Sequence, residues 1–499
     1  MPASELVERV VELIEEFRPR FGGRGGDELE ALVARLRDPV RVAVVGRVKA
    51  GKSTMVNALL GQRVAPTDVS ECTKIVTWFH YGHPQRLELA LNDGSRSLLR
   101  LSSSGMLPTE LGVPLDQVSA LHVYLANEAL KDLTLIDTPG LASVHEAYSS
   151  STERLMSQSG DVLSATDQAD AVVFLLNQVL MQEEYKTLEH LTGSGGDAAA
   201  STLGVLSKAD KLGDGEEDPW LVAVALAGRY AGQFREHVST VVPVVGLLAE
   251  SAEAAIITET DAKALRTLAA LEPKLLEHIL VSYERFTSAD ISVPAVTRER
   301  LLAILDLFGI RHAVQMIRDG VSGATPIRRE LSALSGISQV KHALIAFFSD
   351  KDHILKVRSS LNVIERLTYR GEGALDAAAP LELRNRLEAL KLDRVMHPVS
   401  ELEVWQDCRS GKVRLVPDML AELERLTGPG TFAARLGASG SFAELARAAK
   451  EGMVRWRTFM VDEANPGQAK VARVAMRSYQ LVWTACQQED STVATERER

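Results

Sequence analysis

Hydrophobic spacing divides the chain into stretches of different texture. Residues 3–18 carry apolar side chains at helical intervals (Leu6, Val10, Leu13, Ile14, Phe17), and "DELEALVARLRD" from Asp27 repeats the pattern after the glycines of "FGGRGGD". From Arg41 the texture changes to short apolar runs of strand length: "RVAVV", "KIVTWFHYG", "RLELAL", "ALHVYL", "LTLID", "AVVFLLN", "TLGVLSK" and "VVPVVGLL". Helical segments such as "STMVNALLG", "EEYKTLEHLT" and "DPWLVAVALAGRYAGQFREHV" lie among them. This alternation predicts a mainly parallel α/β sheet over about residues 40–250. After Ala249 the strand signal gives way to amphipathic helices, broken at "SADISVP", "DGVSGATP", "GEGALDAAAP" and "LTGPGTFAARLGASGSF". The closing "QQEDSTVATERER" has almost no apolar content and reads as a solvated, disordered tail over 488–499. No fixed-period repeat is visible, which argues against a solenoid.

Composition narrows the reading. A chain of 499 residues exceeds one ordinary core and implies two or three domains. With 25% charged and 45% apolar residues it has the make-up of a soluble globular protein. Its three cysteines (Cys72, Cys408, Cys486) are scattered without a CxxC pair, against a disulfide framework or a zinc site and in keeping with a reducing cytosol. No apolar run approaches the roughly 20 residues that span a bilayer, and the N-terminus carries glutamates where a signal peptide has lysines. Membrane contact is therefore expected to be peripheral. The net charge of −11 opposes broad nucleic-acid binding. Residues 1–340 hold 32 Lys and Arg against 45 Asp and Glu, residues 341–499 hold 24 against 22, and a domain change near 340 follows.

The chemistry lies in the strand-rich part. Gly46–Ser53 fits G-x-x-x-x-G-K-[ST] between a strand and a helix, so Gly46, Arg47, Val48, Lys49, Ala50, Gly51, Lys52, Ser53 and Thr54 are expected around a bound phosphate chain. Gly46 and Gly51 let the backbone wrap the phosphates, Lys52 supplies a mobile positive charge, and the Ser53 hydroxyl can bind Mg²⁺. "LTLIDTPG" follows: Asp137 at a strand end can reach a magnesium-bound water, and the Gly140 amide can bind a γ-phosphate. In "LGVLSKAD" the Asp210 carboxylate can accept two hydrogen bonds from guanine, while the Lys208 stem lies along the purine. Ser207 departs from the usual N/T-K-x-D and weakens that selectivity. Within "APTDVSECTKIVT" Thr73 is the choice for closing on magnesium, with Thr67 and Thr77 as competitors.

In this order the motifs spell a GTPase. The chain resembles bacterial dynamin-like GTPases through "GRVKAGKSTMVNALLG", "VAPTDVSECTKIVT", "LTLIDTPGL" and "LSKAD". The C-terminal "RSGKVRLVPDMLAELERL" and "VAMRSYQLVW" are similar to the actinobacterial branch, that of the paired isoniazid-inducible mycobacterial members, and there to the smaller type. The resemblance implies an α/β P-loop GTPase head (39–340) and an all-α neck and trunk bundle (341–487), joined by N-terminal helices (1–38). It also implies membrane remodelling with GTP and Mg²⁺, anionic lipid as a partner, and homodimers or hetero-assembly with a paralogue at the inner face of the plasma membrane. By that analogy the "MRSYQLVWTAC" helix would return to meet the N-terminal helices, and 426–442, with Phe432, Arg435, Leu436 and Phe442, would be the membrane-facing tip. The alternative for 426–442 is an interhelix connection whose phenylalanines pack into the trunk.

Two departures bear on catalysis. Val48 stands where dynamins carry a water-orienting glutamine, and Leu141 follows DTPG where many small GTPases have one. Hydrolysis is therefore expected to be slow. Lys49 replaces a serine associated with a monovalent cation, and its ammonium can take that cation's place, with Arg47 a second option. A slow GTP-binding scaffold that assembles with a paralogous GTPase is the competing function.

Overall fold

The computed structural model describes all residues except 1–2, 68–73, 103–104, 109, 141–168, 179–181, 193–201, 214–217, 349–351, 372, 410, 429 and 498–499. Thr73, Cys72 and Leu141 lie outside the described residues. Two compact units emerge, one formed by residues 39–194 and 201–346, the other chiefly by 1–38 and 347–499. Helices α1 (Ala3–Phe17) and α2 (Gly23–Arg37) precede the first strand.

The first unit is built on one nine-stranded sheet: β1 (Val40–Gly46), β2 (Thr77–Tyr81), β3 (Arg86–Leu91), β4 (Arg96–Leu99), β5 (Val118–Leu125), β6 (Leu133–Asp137), β7 (Ala171–Leu176), β8 (Thr202–Ser207) and β9 (Val241–Val244). They run in the order β4-β3-β5-β2-β6-β1-β7-β8-β9. β1 pairs in parallel with β6 and β7, and β8 continues the parallel run from β7 to β9. β2 is antiparallel to β6 but parallel to β5, and β3 lies antiparallel between β5 and β4. Helices cover the central strands on both faces, so β7, β8 and β9 are buried throughout and read as unbroken apolar runs. Their core includes Val45, Ile136, Phe174, Leu206, Phe234, Leu248 and Leu305. β4 escapes the hydrophobic pattern because it is an edge strand whose first three residues are exposed. The register aligns Val44 with Asp137 and Gly46 with Leu175, so the carboxyl ends of β1, β6 and β7 form one rim. Ligands of open α/β sheets bind along such a rim.

In the second unit α1 and α2 share a core with the helices Asp352–Arg370 and Ala379–Lys391, through Val10, Ile14, Leu29, Val357, Ile364 and Leu387. A second core joins the helices Pro417–Thr427, Phe442–Asp462 and Pro466–Arg497 around Trp456 and Tyr479. At its centre a Glu422 oxygen accepts from Trp456 Nε1 (2.9 Å) and the Tyr479 hydroxyl, and Arg455 forks onto the same carboxylate.

The helical unit bears on three of the expectations. The stretch "MRSYQLVWTAC" packs in this second core rather than on α1 and α2. Its buried face (Ala475, Tyr479, Val482, Cys486) meets Gly452, where an added Cβ would come within 2.4 Å of the Tyr479 ring. In 426–442 the side chains turn inward: Leu436 is buried, and Phe432 and Phe442 are half-buried against the helical core. Arg435 donates to the Leu426 carbonyl (2.6 Å) and to Glu401 (2.8 Å). Lastly, the helix from Pro466 continues to Arg497 across the expected tail. Polar glutamine, glutamate and arginine are good helix formers, and no Pro or Gly follows Gly467 to stop it. Among the described residues no helix is long and apolar enough to cross a membrane.

Candidate functional site

The rim where β1 ends is shaped by what cannot fit. A Cβ on Gly46 would stand 3.0 Å from the Leu175 Cβ, so a larger residue there would crowd β7. Lys49 (φ 63°) and Gly51 (φ 97°) both adopt left-handed backbone. Alternation of right- and left-handed residues points successive N–H groups into one concavity suited to an anion. The loop ends at the helix α3 (Lys52–Leu60), whose N-terminus adds a favourable dipole. Lys52 is buried and folds back to donate to the Arg47 carbonyl at 3.0 Å; desolvation holds its pKa below the usual lysine range. Val48 and Lys49 are exposed.

The end of β6 brings Asp137 to this loop. Its Oδ2 accepts from the Ser53 hydroxyl at 2.9 Å, while Oδ1 is buried without a hydrogen-bond partner among the described residues. Burial raises the Asp137 pKa to about 6, against the opposing pull of Lys52 and Ser53. A buried, half-satisfied carboxylate beside a hydroxyl is a donor set for a hard cation. The set fits Mg²⁺, whose remaining ligands in such sites are water and phosphate oxygens. No group of three or more His, Cys, Asp or Glu that could hold a metal occurs among the described residues, so this is not an all-protein cage. Next along the chain, Thr138 donates to the Val44 carbonyl at 2.8 Å and ties the turn to β1. Gly140 then lies against the phosphate loop itself: an added Cβ would be 2.6 Å from a Val48 methyl and 2.8 Å from its Cα.

Of the threonines weighed for magnesium, Thr67 is exposed and accepts from Arg63, and Thr77 is buried in β2 opposite Asp137. The segment expected to read the base sits at the end of β8. Lys208 is exposed in left-handed backbone, and Asp210 is half-buried, with burial raising its pKa. Ser207 is buried and donates to the Leu176 carbonyl (3.1 Å), which ties β8 to β7.

Other residues of the site carry no motif. Asn57, fully buried on α3, accepts from the Val64 and Ala65 amides (3.0 and 2.8 Å) and donates to the Ala65 carbonyl and Glu250. It thereby fixes the backbone leading toward the 66–73 segment. The turn after β9 brings Gly246 to Thr54, an added Cβ standing 3.6 Å from its methyl. Lys211, next to Asp210, is held by Asp306, which sits in an unbroken helical run, "LLAILDLFGI", that gives no signal.

Comparison with known proteins agrees with this geometry. The model of the dynamin family matches residues 42–209, from β1 to the base-reading turn. The isoniazid-induced protein IniC of Mycobacterium tuberculosis is 33% identical over 494 residues, covering 96% of this chain and 98% of its own. Dynamin-like protein 2 of Campylobacter jejuni is 30% identical over 136 residues, 27% of this chain and 22% of its own. A solved chain of an oligomerised bacterial dynamin pair covers 98% of this chain and 92% of its own at 14% identity, with a TM-score of 0.34, too loose to carry an argument. With a relative matched end to end and the phosphate loop, Asp137 and Asp210 on one rim, the chain belongs to the dynamin family, and its α/β unit is that family's GTP-binding GTPase domain.

Proposed function

We propose that this chain hydrolyses GTP slowly in its α/β unit and uses the cycle in peripheral remodelling or maintenance of a membrane. The observation that carries the reading is the Ser53–Asp137 hydrogen bond beside a phosphate loop whose backbone is already wound for anions. Gly46–Thr54 would hold the phosphates, and Lys52 would exchange the Arg47 carbonyl for β- and γ-phosphate oxygens. Ser53, Thr73 and, through water, Asp137 would hold Mg²⁺, which when bound offsets charge on the triphosphate. The Gly140 amide would report the γ-phosphate, and Lys208 with Asp210 would select guanine. Lys49, exposed at the crest of the loop, would supply the positive charge that grows in importance as the β–γ bond breaks. With Val48 lying against Gly140 where a water-orienting side chain would be needed, hydrolysis depends on these charges.

That same contact favours a second reading: a GTP-binding scaffold that barely turns over and assembles with a paralogous dynamin-like GTPase. Phosphate release from GTP, measured with and without anionic liposomes for the wild type and Lys52→Ala, separates the two. The first reading expects liposome-stimulated release that the variant lacks. Equal low rates in all four conditions would leave only the scaffold.

A further inference from the structure

The helix Ala295–Arg318 breaks its regular backbone at one residue. Asp306 has φ 57° and ψ 176°, a conformation that L residues rarely adopt outside glycine. Its side chain explains why the break persists. Asp306 Oδ2 accepts from Lys211 Nζ at 2.6 Å and from the Tyr283 hydroxyl, and Oδ1 accepts from the Leu307 amide. Lys211 also donates to Tyr283 at 3.1 Å. Lys211 directly follows Asp210, the guanine-reading carboxylate, in the short 3₁₀ turn Ala209–Lys211. Its ammonium stands 3.7 Å from Asp210 Oδ2, outside a direct hydrogen bond.

An ammonium this close to the base-reading carboxylate poses a chemical problem. Asp210 must present both oxygens to the ring N–H and exocyclic amine of guanine. A lysine that swings onto Oδ2 competes for the oxygen the base requires. We propose that Asp306 is a positioning residue for guanine recognition: by holding Lys211 against Tyr283 it keeps that ammonium off Asp210, and the helix break is the conformation that brings the carboxylate into reach. The inference rests on the reading of Asp210 as the guanine selector.

The test uses competition of GTP and ITP against a fluorescent GDP on the full chain. ITP lacks the exocyclic amine, so the ratio of the two affinities reports how many hydrogen bonds Asp210 makes to the base. Asp306→Asn keeps the size and the acceptor for Leu307 but loses the charge that holds Lys211. It should weaken GTP binding about tenfold and lower the GTP-to-ITP preference. The double variant Asp306→Asn/Lys211→Met removes the freed ammonium and should bind GTP more tightly than Asp306→Asn alone, recovering the preference. A purely structural role for Asp306 predicts the reverse, a double variant no better than the single one, and that result would overturn the proposal, as would an unchanged preference in Asp306→Asn. Asp210→Ala, measured alongside, isolates the premise. If it leaves the preference intact the guanine reading itself fails, whereas its collapse with an unaffected Asp306→Asn removes Asp306 alone.

Discussion

At the level of single residues the site stores two unfavourable arrangements that a ligand would relieve. Lys49 sits in left-handed backbone, which costs a non-glycine residue about 1 kcal/mol. If its ammonium takes a monovalent cation's place, turnover should be the same in sodium and potassium. Lys49→Ser should slow it by roughly tenfold or more and make it potassium-dependent; a marked potassium requirement in the wild type would contradict the role. Asp137 is the other. Its folded pKa of about 6 lies above the unfolded value, so between those values the native state binds a proton that the unfolded chain does not. Near pH 7 the buried charge therefore costs on the order of 3 kcal/mol, and this cost is relieved as pH falls through 6. The nucleotide-free wild type should gain thermal stability relative to Asp137→Asn between pH 7.5 and 5. Magnesium-dependent GTP binding should move the opposite way, weakening below about pH 6 as the proton displaces the metal. The sequence made these residues visible because phosphate and magnesium chemistry demands fixed types at fixed spacing. Asp306 stayed hidden because its partner Lys211 is 95 positions away, and Asn57 because its bonds to the Val64 and Ala65 backbone have no sequence signature.

Among the elements, strands were legible where burial on both faces removes polar residues, as in β7 and β8, and where one face stays half-exposed, as in β5. The exposed edge strand β4 offers neither signature. Pairing was less legible. Nothing in "KIVTWFHYG" announces that β2 runs antiparallel to β6 and parallel to β5, because both neighbours want the same apolar face. Asn57 is the side chain that ties α3 to the Val64 and Ala65 backbone after it. Asn57→Ala would leave the Val64 and Ala65 amides, the Ala65 carbonyl and Glu250 short of a partner in a buried setting. At about 1–3 kcal/mol for each such group, with partial rehydration, a loss of at least 3 kcal/mol is expected. Hydrogen exchange at Val64 and Ala65 should accelerate more than at β7. Equal acceleration across the unit would mean Asn57 acts on global stability rather than on that connection.

For the whole molecule, what matters is that each unit carries its own core. The helical unit joins the N-terminal helices to a distant part of the chain: Val10 and Ile14, both fully buried on α1, share a core with Val357, Ile364 and Leu387 from more than 340 residues later. No local pattern encodes that pairing, since an amphipathic α1 predicts only that some apolar partner exists. The same limit left two readings open for 426–442, where glycine-flanked phenylalanines have the composition of a membrane tip and pack, half-buried, against a core as the interhelix alternative expects. Ile14→Ala removes three carbons from a site without room to collapse and should cost about 2–5 kcal/mol. Separate cores predict two unfolding transitions that respond to different perturbations. Ile14→Ala should lower that of the helical unit, and GTP with magnesium should raise that of the α/β unit, by about 2.7 kcal/mol at a hundredfold excess over Kd. Calorimetry of the wild type and Ile14→Ala, each with and without nucleotide, gives four curves. A nucleotide-induced rise in both transitions would show that binding in the GTPase unit is felt by the helices, which is the physical requirement for turning hydrolysis into work on a membrane.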